Sequence, residues 1–332
     1  MTETLVSASS IQRAIHDYSD ADNPSAFLAL NRGNSVFTAD GLSGVIVYRS
    51  AGRYLVQLGG PFASHDSYED LLQAFMQFAT EQGRSVVSIQ LQAKDAEIYA
   101  RHGHTVNQVG ASYAVDLSVF SLRGTRFMQL RNKISRAFRA GLTVAEADVD
   151  DYFDHMKEID HAWLSAKGEH TRQLEYLVGE YGGEMQRYRR LFVGMIDGKL
   201  AGYISYSPVY GTRPGWMHDL SRRRPELLPG IMEAINKTAI DKFQAEQARW
   251  LHFGFTPFTS LDDKLEMPGH SPGFGLVMRL LWQHGEAVYP AQTQLAYKEK
   301  WGQSVTLPEY IAFQGRASIT AFAHVFRACN AF

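Results

Sequence analysis

The sequence predicts an α/β protein made of two similar halves, each a mixed sheet flanked by helices. Three observations predict it. Short apolar runs of strand length alternate with longer segments of helical periodicity. The order of these elements before residue 120 returns, in type though not in sequence, after it. An arginine-rich stretch without carboxylates separates the two series. At 332 residues the chain has room for two domains of ordinary size, which we place at 1–120 and 121–332.

Composition narrows the class. Hydrophobic residues at 45% and charged residues at 20% describe a folded globular chain. A formal net charge of −2 excludes a globally basic nucleic-acid binder but leaves room for a local basic patch. The single cysteine, Cys329, excludes an internal disulfide and a cysteine-built metal site. The first ten residues, MTETLVSASS, lack the basic start and apolar run of a secretory signal, and no stretch approaches the ~18 uninterrupted apolar residues of a membrane span. These features suit a cytoplasmic protein, at most peripheral to a membrane.

In the first half, Ile11, Ile15 and Tyr18 recur at helical spacing behind serines able to cap, giving a helix over 9–18. Apolar runs at 26–30, 35–38, 45–48 and 54–58, punctuated by Asn, Gly and Asp, read as a strand meander. Gly59, Gly60 and Pro61 end it. Leu71, Leu72, Phe75, Phe78 and Ala79 lie on one face of a helix over 67–82. A strand at 85–92, a helix at 95–102 and a strand at 112–117 complete the half.

Between 122 and 140 the chain carries Arg123, Arg126, Arg131, Lys133, Arg136 and Arg139, and no acidic residue appears until Glu146. Phe127, Leu130, Ile134 and Phe138 recur at helical spacing, so one face can pack while the basic side chains project. A one-sign run lacks the i,i+4 ion pairs that favour an ordinary solvated face. Polyanion binding by Arg126, Arg131, Lys133 and Arg136 is the expectation. A strand at 142–147, a helix at 152–167, strands at 191–196, 200–207 and 215–220, a helix at 230–247 and a strand at 250–253 then repeat the earlier order. Asp197-Gly198 reads as a hairpin turn.

Residues 214–235, PGWMHDLSRRRPELLPGIMEAI, concentrate charge, proline and glycine. A strand that leads through a basic loop into a helix start presents free N–H groups and a positive dipole end, which suits phosphate or carboxylate. The sequence holds no HExxH, CxxC, phosphate loop or GxSxG, which excludes the zinc proteases, redox dithiols, phosphate-loop NTPases and common serine hydrolases.

RGTRFMQLRNKISRAFRAGLTV, the 214–235 stretch, WLHFGFTPFTSL and LAYKEKWGQSVTLPEYIAF together resemble, in that order, blocks of the catalytic domain of the aminoacyl-phosphatidylglycerol synthases, also called phosphatidylglycerol lysyltransferases. The resemblance spans roughly 20–315 and implies two tandem acetyltransferase-like (GNAT-like) domains and an aminoacyl-tRNA donor. It places an Arg-Asn pair at Arg131 and Asn132 with a later Gly141, an Asp-Leu-x-Arg block at Asp219 and Arg222, a Gly-x-Met-acid block at Gly230 and Glu233, and a paired-lysine block at Lys298 and Lys300. Ser221 stands for the family's Met and Glu233 for its Asp, and residues 265–289 have no counterpart.

Aminoacyl-tRNA is already an activated ester, so neither a cofactor nor a metal is expected; positioning and proton transfer suffice. Asp219 takes the acceptor's proton or holds the donor's α-ammonium, or else pairs structurally with a nearby arginine. Arg222 stabilises an oxyanion or a tRNA phosphate. Trp216 stacks on the terminal adenine or lies in the core, His218 lines the same site, and Lys298 and Lys300 supply phosphate contacts or project into solvent. Lacking a membrane span, the chain is expected to use a soluble amine, hydroxylamine or hydroxyl acceptor, with a lipid acceptor as the alternative and peripheral membrane contact through 319–326. An acyl-CoA N-acyltransferase shares the fold, but its Arg/Gln-x-x-Gly-x-Gly/Ala signature fails around Gly230, where Leu227 and Met232 stand. A non-catalytic RNA-binding module would keep the basic helix without needing Asp219.

Overall fold

The computed structural model describes residues 7–18, 23–167, 172–227, 229–287 and 289–331. Met1 to Val6 of the N-terminal reading, and Leu228 of the basic loop, lie outside them. The first half runs α1 (Ala8–Asp17), β1 (Ser35–Phe37), β2 (Gly44–Ala51), β3 (Tyr54–Leu58), β4 (Phe62–Ala63), α2 (His65–Glu81), β5 (Ser85–Leu91), α3 (Ala93–Arg101) and β6 (Thr105–Asp116). The second runs α4 (Met128–Arg139), β7 (Thr143–Ala147), α5 (Phe153–Lys167), β8 (Arg190–Ile196), β9 (Lys199–Val209), β10 (Gly215–Arg223), α6 (Ile231–Ala245), β11 (Trp250–Pro257), α7 (Pro272–His284), α8 (Ala291–Glu299), β12 (Val305–Phe313) and α9 (Ile319–Ala328).

The two expected sheets run together into one, ordered β1-β2-β3-β5-β12-β6-β11-β10-β9-β8-β7, with β4 attached to β2. The join is the antiparallel pairing of β6 with β11. Two neighbouring pairs are parallel, β3 with β5 and β10 with β11, one in each half. The chain passes the expected 120/121 junction between β6 and α4, yet β12 comes back across it. That strand lies antiparallel between β5 and β6 and completes the first half's part of the sheet.

Two local readings are corrected, and a third segment is placed. Residues 26–30 form a buried 3-10 turn instead of a strand, because a short apolar run bounded by polar residues carries no periodicity that separates the two. In α4 the buried stripe is Leu130, Ile134 and Ala137, while Phe138 is 40% exposed, so the packing face is rotated from the one expected. The 319–326 segment is α9, which spends Phe322 and Val325 on the core and leaves Ile319 outside. Among the described residues no helix is long and apolar enough to cross a membrane.

The cores follow the layers. One cluster joins α4 and α6 to one face of β6, β9 and β11 through Leu130, Ile134, Ile235, Ile240 and Phe243. On the opposite face, Phe27 and Leu28 from the 3-10 turn, Met217, Phe258, Phe274 and Phe322 form the largest cluster. α5 packs on β8 and β9 through Met156 and Ile159.

Candidate active site

β10 and β11 pair in parallel only from Gly215–Trp250 to Met217–His252, and then part. Just past this fork β10 carries a bulge between His218 and Leu220 against β9, so Asp219 is the extra, unpaired residue. β11 shifts register over the same stretch, between His252 and Phe255. The fork therefore leaves backbone and side chains of both strands without the partner a continuous ladder would give.

On the α6 face, the Trp216 ring stacks on Phe243 with centroids 5.6 Å apart, and the Arg190 guanidinium lies 5.1 Å from it. Trp216 is thus partly buried and packed against the core, with its ring face taken by Phe243. His218 lies among Tyr206, Phe253 and Tyr297 at 5.6–5.8 Å. Burial, aided by the Lys298 ammonium, pushes its pKa down to about 3, so its ring is neutral at pH 7. Four polar atoms here make no hydrogen bond of good geometry, His218 Nδ1, Asn236 Nδ2, Tyr297 Oη and Trp301 Nε1, although His218 lies beside Asn236 and Tyr297 beside Trp301. Such atoms are costly to bury unpaired and are the usual lining of a site that receives a polar ligand.

On the opposite face, the Asp219 and Arg189 side chains are both 0% exposed, with Arg189 Nε 3.5 Å from Asp219 Oδ2. That separation is an ion pair too long for a hydrogen bond. Arg189 Nη2 donates to Asn31 Oδ1 at 2.8 Å, and its guanidinium lies 5.0 Å from the Phe27 ring. Neither Asp219 oxygen makes a hydrogen bond of good geometry, although the Ser207 hydroxyl and the Arg189 guanidinium lie beside the carboxylate and favour its ionised form. Burial raises the Asp219 carboxyl to about 6, against the pull of Arg189. The structural ion pair with a nearby arginine, one of the alternatives for Asp219, exists, and its partner is Arg189.

Arg222 is engaged elsewhere. Its guanidinium lies 4.1 Å from the Trp163 ring on α5 and 4.0 Å from Asp160, whose carboxylate accepts from Tyr181 and Tyr203. In this arrangement Arg222 braces α5 against β10 and does not join the His218 cluster. Lys298 is also corrected: it is buried, and its Nζ donates to the carbonyls of Gly254 and Phe255 at 2.7 and 3.1 Å. It serves the carbonyls that β11 leaves free beyond the fork, and burial lowers its pKa to about 7. Lys300 Nζ reaches Glu233 at 3.1 Å, linking α8 to α6.

The basic helix does meet the start of α6. Gly230 has φ +111, and a Cβ there would sit 2.4 Å from the Lys133 carbonyl, so only glycine allows the crossing. Arg131 donates to the carbonyls of Leu122 and Gly124, which ties down the approach to α4. Arg126, Asn132 and Arg136 are exposed, Lys133 half-buried, and among the described residues no ion pair engages any of these three basic side chains.

This geometry can be compared with known proteins. A family model for the C-terminal region of phosphatidylglycerol lysyltransferase matches residues 13–313. The chain belongs to that family. It is 24% identical over 289 residues to the phosphatidylglycerol lysyltransferase of Staphylococcus epidermidis, covering 82% of this chain and 32% of the relative. With that of Bacillus subtilis it shares 26% over 239 residues, covering 67% and 27%. The chain thus spans about a third of the length of the curated relatives it matches. In fold it is similar to L-PGS from Bacillus licheniformis, with TM-score 0.79, 17% identity and coverage of 100% and 98%. It is also similar to FemX, with TM-score 0.54, 10% identity and coverage of 94% and 97%.

Within this phosphatidylglycerol lysyltransferase C-terminal family member, the sequence reading missed Arg189, Asn236, Tyr297 and Glu309. Arg189 sits in RYRRL, ordinary in a run of surface-like basic residues; only the fold shows that it is buried. Tyr297 was within reach, since it adjoins Lys298 in a block already singled out. Glu309 lies on β12, buried beside Lys298 and hydrogen-bonded by Ser112, and burial lifts its pKa to about 7.

Proposed function

We propose that this protein transfers an aminoacyl group from aminoacyl-tRNA to a hydroxyl of phosphatidylglycerol or a related anionic lipid. The observation that supports the reading is the fork, beside which His218 and its polar neighbours lie on one face of the sheet and Asp219, ion-paired with Arg189, on the other. The exposed basic side chains of α4 stand on the α6 face, where the tRNA end would arrive by phosphate contacts. The names of the relatives favour a lipid acceptor over the soluble amine expected from the sequence. Because the donor is cytoplasmic, we place the reaction on that side of the membrane.

In this reading the acceptor hydroxyl approaches from the Asp219 face. Asp219 takes its proton as the oxygen attacks the ester carbonyl carbon; the carbon–oxygen bond to the tRNA ribose breaks, and the proton passes to the departing ribose oxygen. Asn236 Nδ2 and Tyr297 Oη, beside His218 and Trp301, supply donors for the oxyanion. The test offers purified protein total charged tRNA with phosphatidylglycerol vesicles in one tube and a mixture of small amines in another. Labelled amino acid should enter lipid, and Asp219→Asn should lower the rate by about 10² to 10⁴ with tRNA binding retained. Product only in the amine tube would reinstate the soluble acceptor, and consumption of acetyl-CoA with neither product would sink the tRNA reading.

A further inference from the structure

A strap of chain from between α5 and β8 lies across Asp219. At its centre is Gly179, where a Cβ would sit 2.3 Å from both Cγ and Oδ1 of the Asp219 carboxylate. The φ of Gly179 lies outside the left-handed region, so it is the contact with the carboxylate, and not the backbone, that calls for glycine. The strap is strung between two anchored tyrosines. Tyr176 is buried and donates to the Val56 carbonyl at 2.6 Å, while Tyr181 donates to Asp160 at 2.9 Å.

Between these anchors the chain is loosely held. Among the described residues, Val178, Gly179 and Glu180 make no backbone–backbone hydrogen bond. The ties come from side chains and one amide in the other half of the molecule, just after the buried turn at 26–30. Asn31 Nδ2 donates to the Val178 carbonyl at 2.8 Å. Arg32 meets Glu180 twice, through its amide at 3.1 Å and its Nε at 3.2 Å, and its Nη2 donates to the Tyr181 carbonyl at 3.3 Å. The Arg32 side chain is 68% exposed, so this clasp sits in water, where an ion pair is weak. Leu177 and Val178 are only half-buried. A segment with no backbone ladder and little apolar surface to expose opens at low cost.

Aminoacyl transfer needs the acceptor hydroxyl within hydrogen-bond reach of its base, and the Asp219 side chain, covered by the strap, offers no approach. We propose, resting on Asp219 as the base of that transfer, that residues 177–180 are a lid over the acceptor site, latched by Arg32 on Glu180. The lid lifts between Tyr176 and Tyr181 to admit the acceptor and closes to exclude water. The latch joins the two halves of the molecule across the site.

The experiment places a thiol beneath the lid. Ser207 is buried beside the Asp219 carboxylate. In the full chain carrying Cys329→Ala, alkylation of Ser207→Cys by iodoacetamide reports opening, and Ser205→Cys serves if Ser207→Cys does not fold. Arg32→Ala should raise the alkylation rate about two- to fivefold, the range an exposed ion pair allows, with the melting temperature unchanged. Glu180→Gln should act in the same direction, and adding it to Arg32→Ala should raise the rate no further, since both break one clasp. In the otherwise native chain, Arg32→Ala should lower KM for phosphatidylglycerol vesicles by a similar factor, because a larger share of the molecules admits the acceptor. Alkylation untouched by both substitutions, or quickened only in step with a lower melting temperature, would overturn the lid. Quickened alkylation with KM unmoved would overturn it as well. If the wild-type chain aminoacylates no acceptor, the transfer reaction falls, and the alkylation rates alone decide the lid.

Discussion

Asp219 and Lys298 carry opposite lessons at the level of single side chains. Asp219 has a folded pKa of about 6, above its ordinary 3.8. For an acid raised in this way the fold binds the proton more tightly than the unfolded chain does. Its contribution to stability is therefore fully present below about 4 and is lost as pH rises through about 6. Catalysis runs the other way, because a base must be ionised. The pH profile of kcat/KM for lipid aminoacylation should rise to a plateau with a limb near 6, and Asp219→Asn should abolish that limb along with most of the rate. A limb that survives the substitution would assign the proton to another group. Lys298, by contrast, is a strut. Lys298→Ala leaves two β11 carbonyls without a donor, so it should cost about 1–3 kcal/mol of stability, read as a lowered melting temperature. The salt dependence of tRNA binding should stay as it was, since the side chain reaches no solvent.

At the level of elements, α4 separates binding from bracing within one run of arginines. Arg126, in the turn that leads into α4, and Arg136 on it are exposed and, among the described residues, outside any ion pair, so alanine at either should weaken tRNA binding modestly and reduce the slope of log affinity against log salt by about 1. Arg131 is committed to two carbonyls, and Arg131→Ala should instead cost about 1–2 kcal/mol of stability. An unchanged salt slope in the first two variants would reduce α4 to a solvated face. What was legible in the sequence follows the same division. The basic run, the 3.6-residue periodicity and the glycine that begins α6 are written locally, within a few residues of one another. The bulge at Asp219, its pairing with Arg189 across thirty residues of chain, and the burial of Lys298 depend on strands that meet only in the folded sheet, and no local pattern announces them.

At the level of the whole molecule, the two halves foreseen in the sequence share one sheet, and β12 ties them. β5 and β6, which a self-contained first half would place side by side, each pair instead with β12. A fragment of residues 1–120 should therefore lack a cooperative thermal transition, while addition of the remainder of the chain in the same polypeptide restores it. A fragment that melts cooperatively and disperses its amide signals would show that the first half closes without β12. The order of strands was the least legible part of the fold, because pairing between residues two hundred positions apart leaves no trace in composition or spacing.

β12 also imposes a schedule on synthesis. By the time Asp116 ends β6, the ribosome still has nearly two hundred residues to add before Phe313, on the order of ten seconds or more at ordinary elongation rates. Throughout that interval the nascent first half holds two strands whose facing edges have no mate, the kind of surface that invites pairing with a neighbouring chain. A nascent chain built this way has a standing need for a chaperone that shields the gap, and a message cut short before residue 305 yields no partly competent product, since the missing segment is the middle of the sheet and not a trailing end.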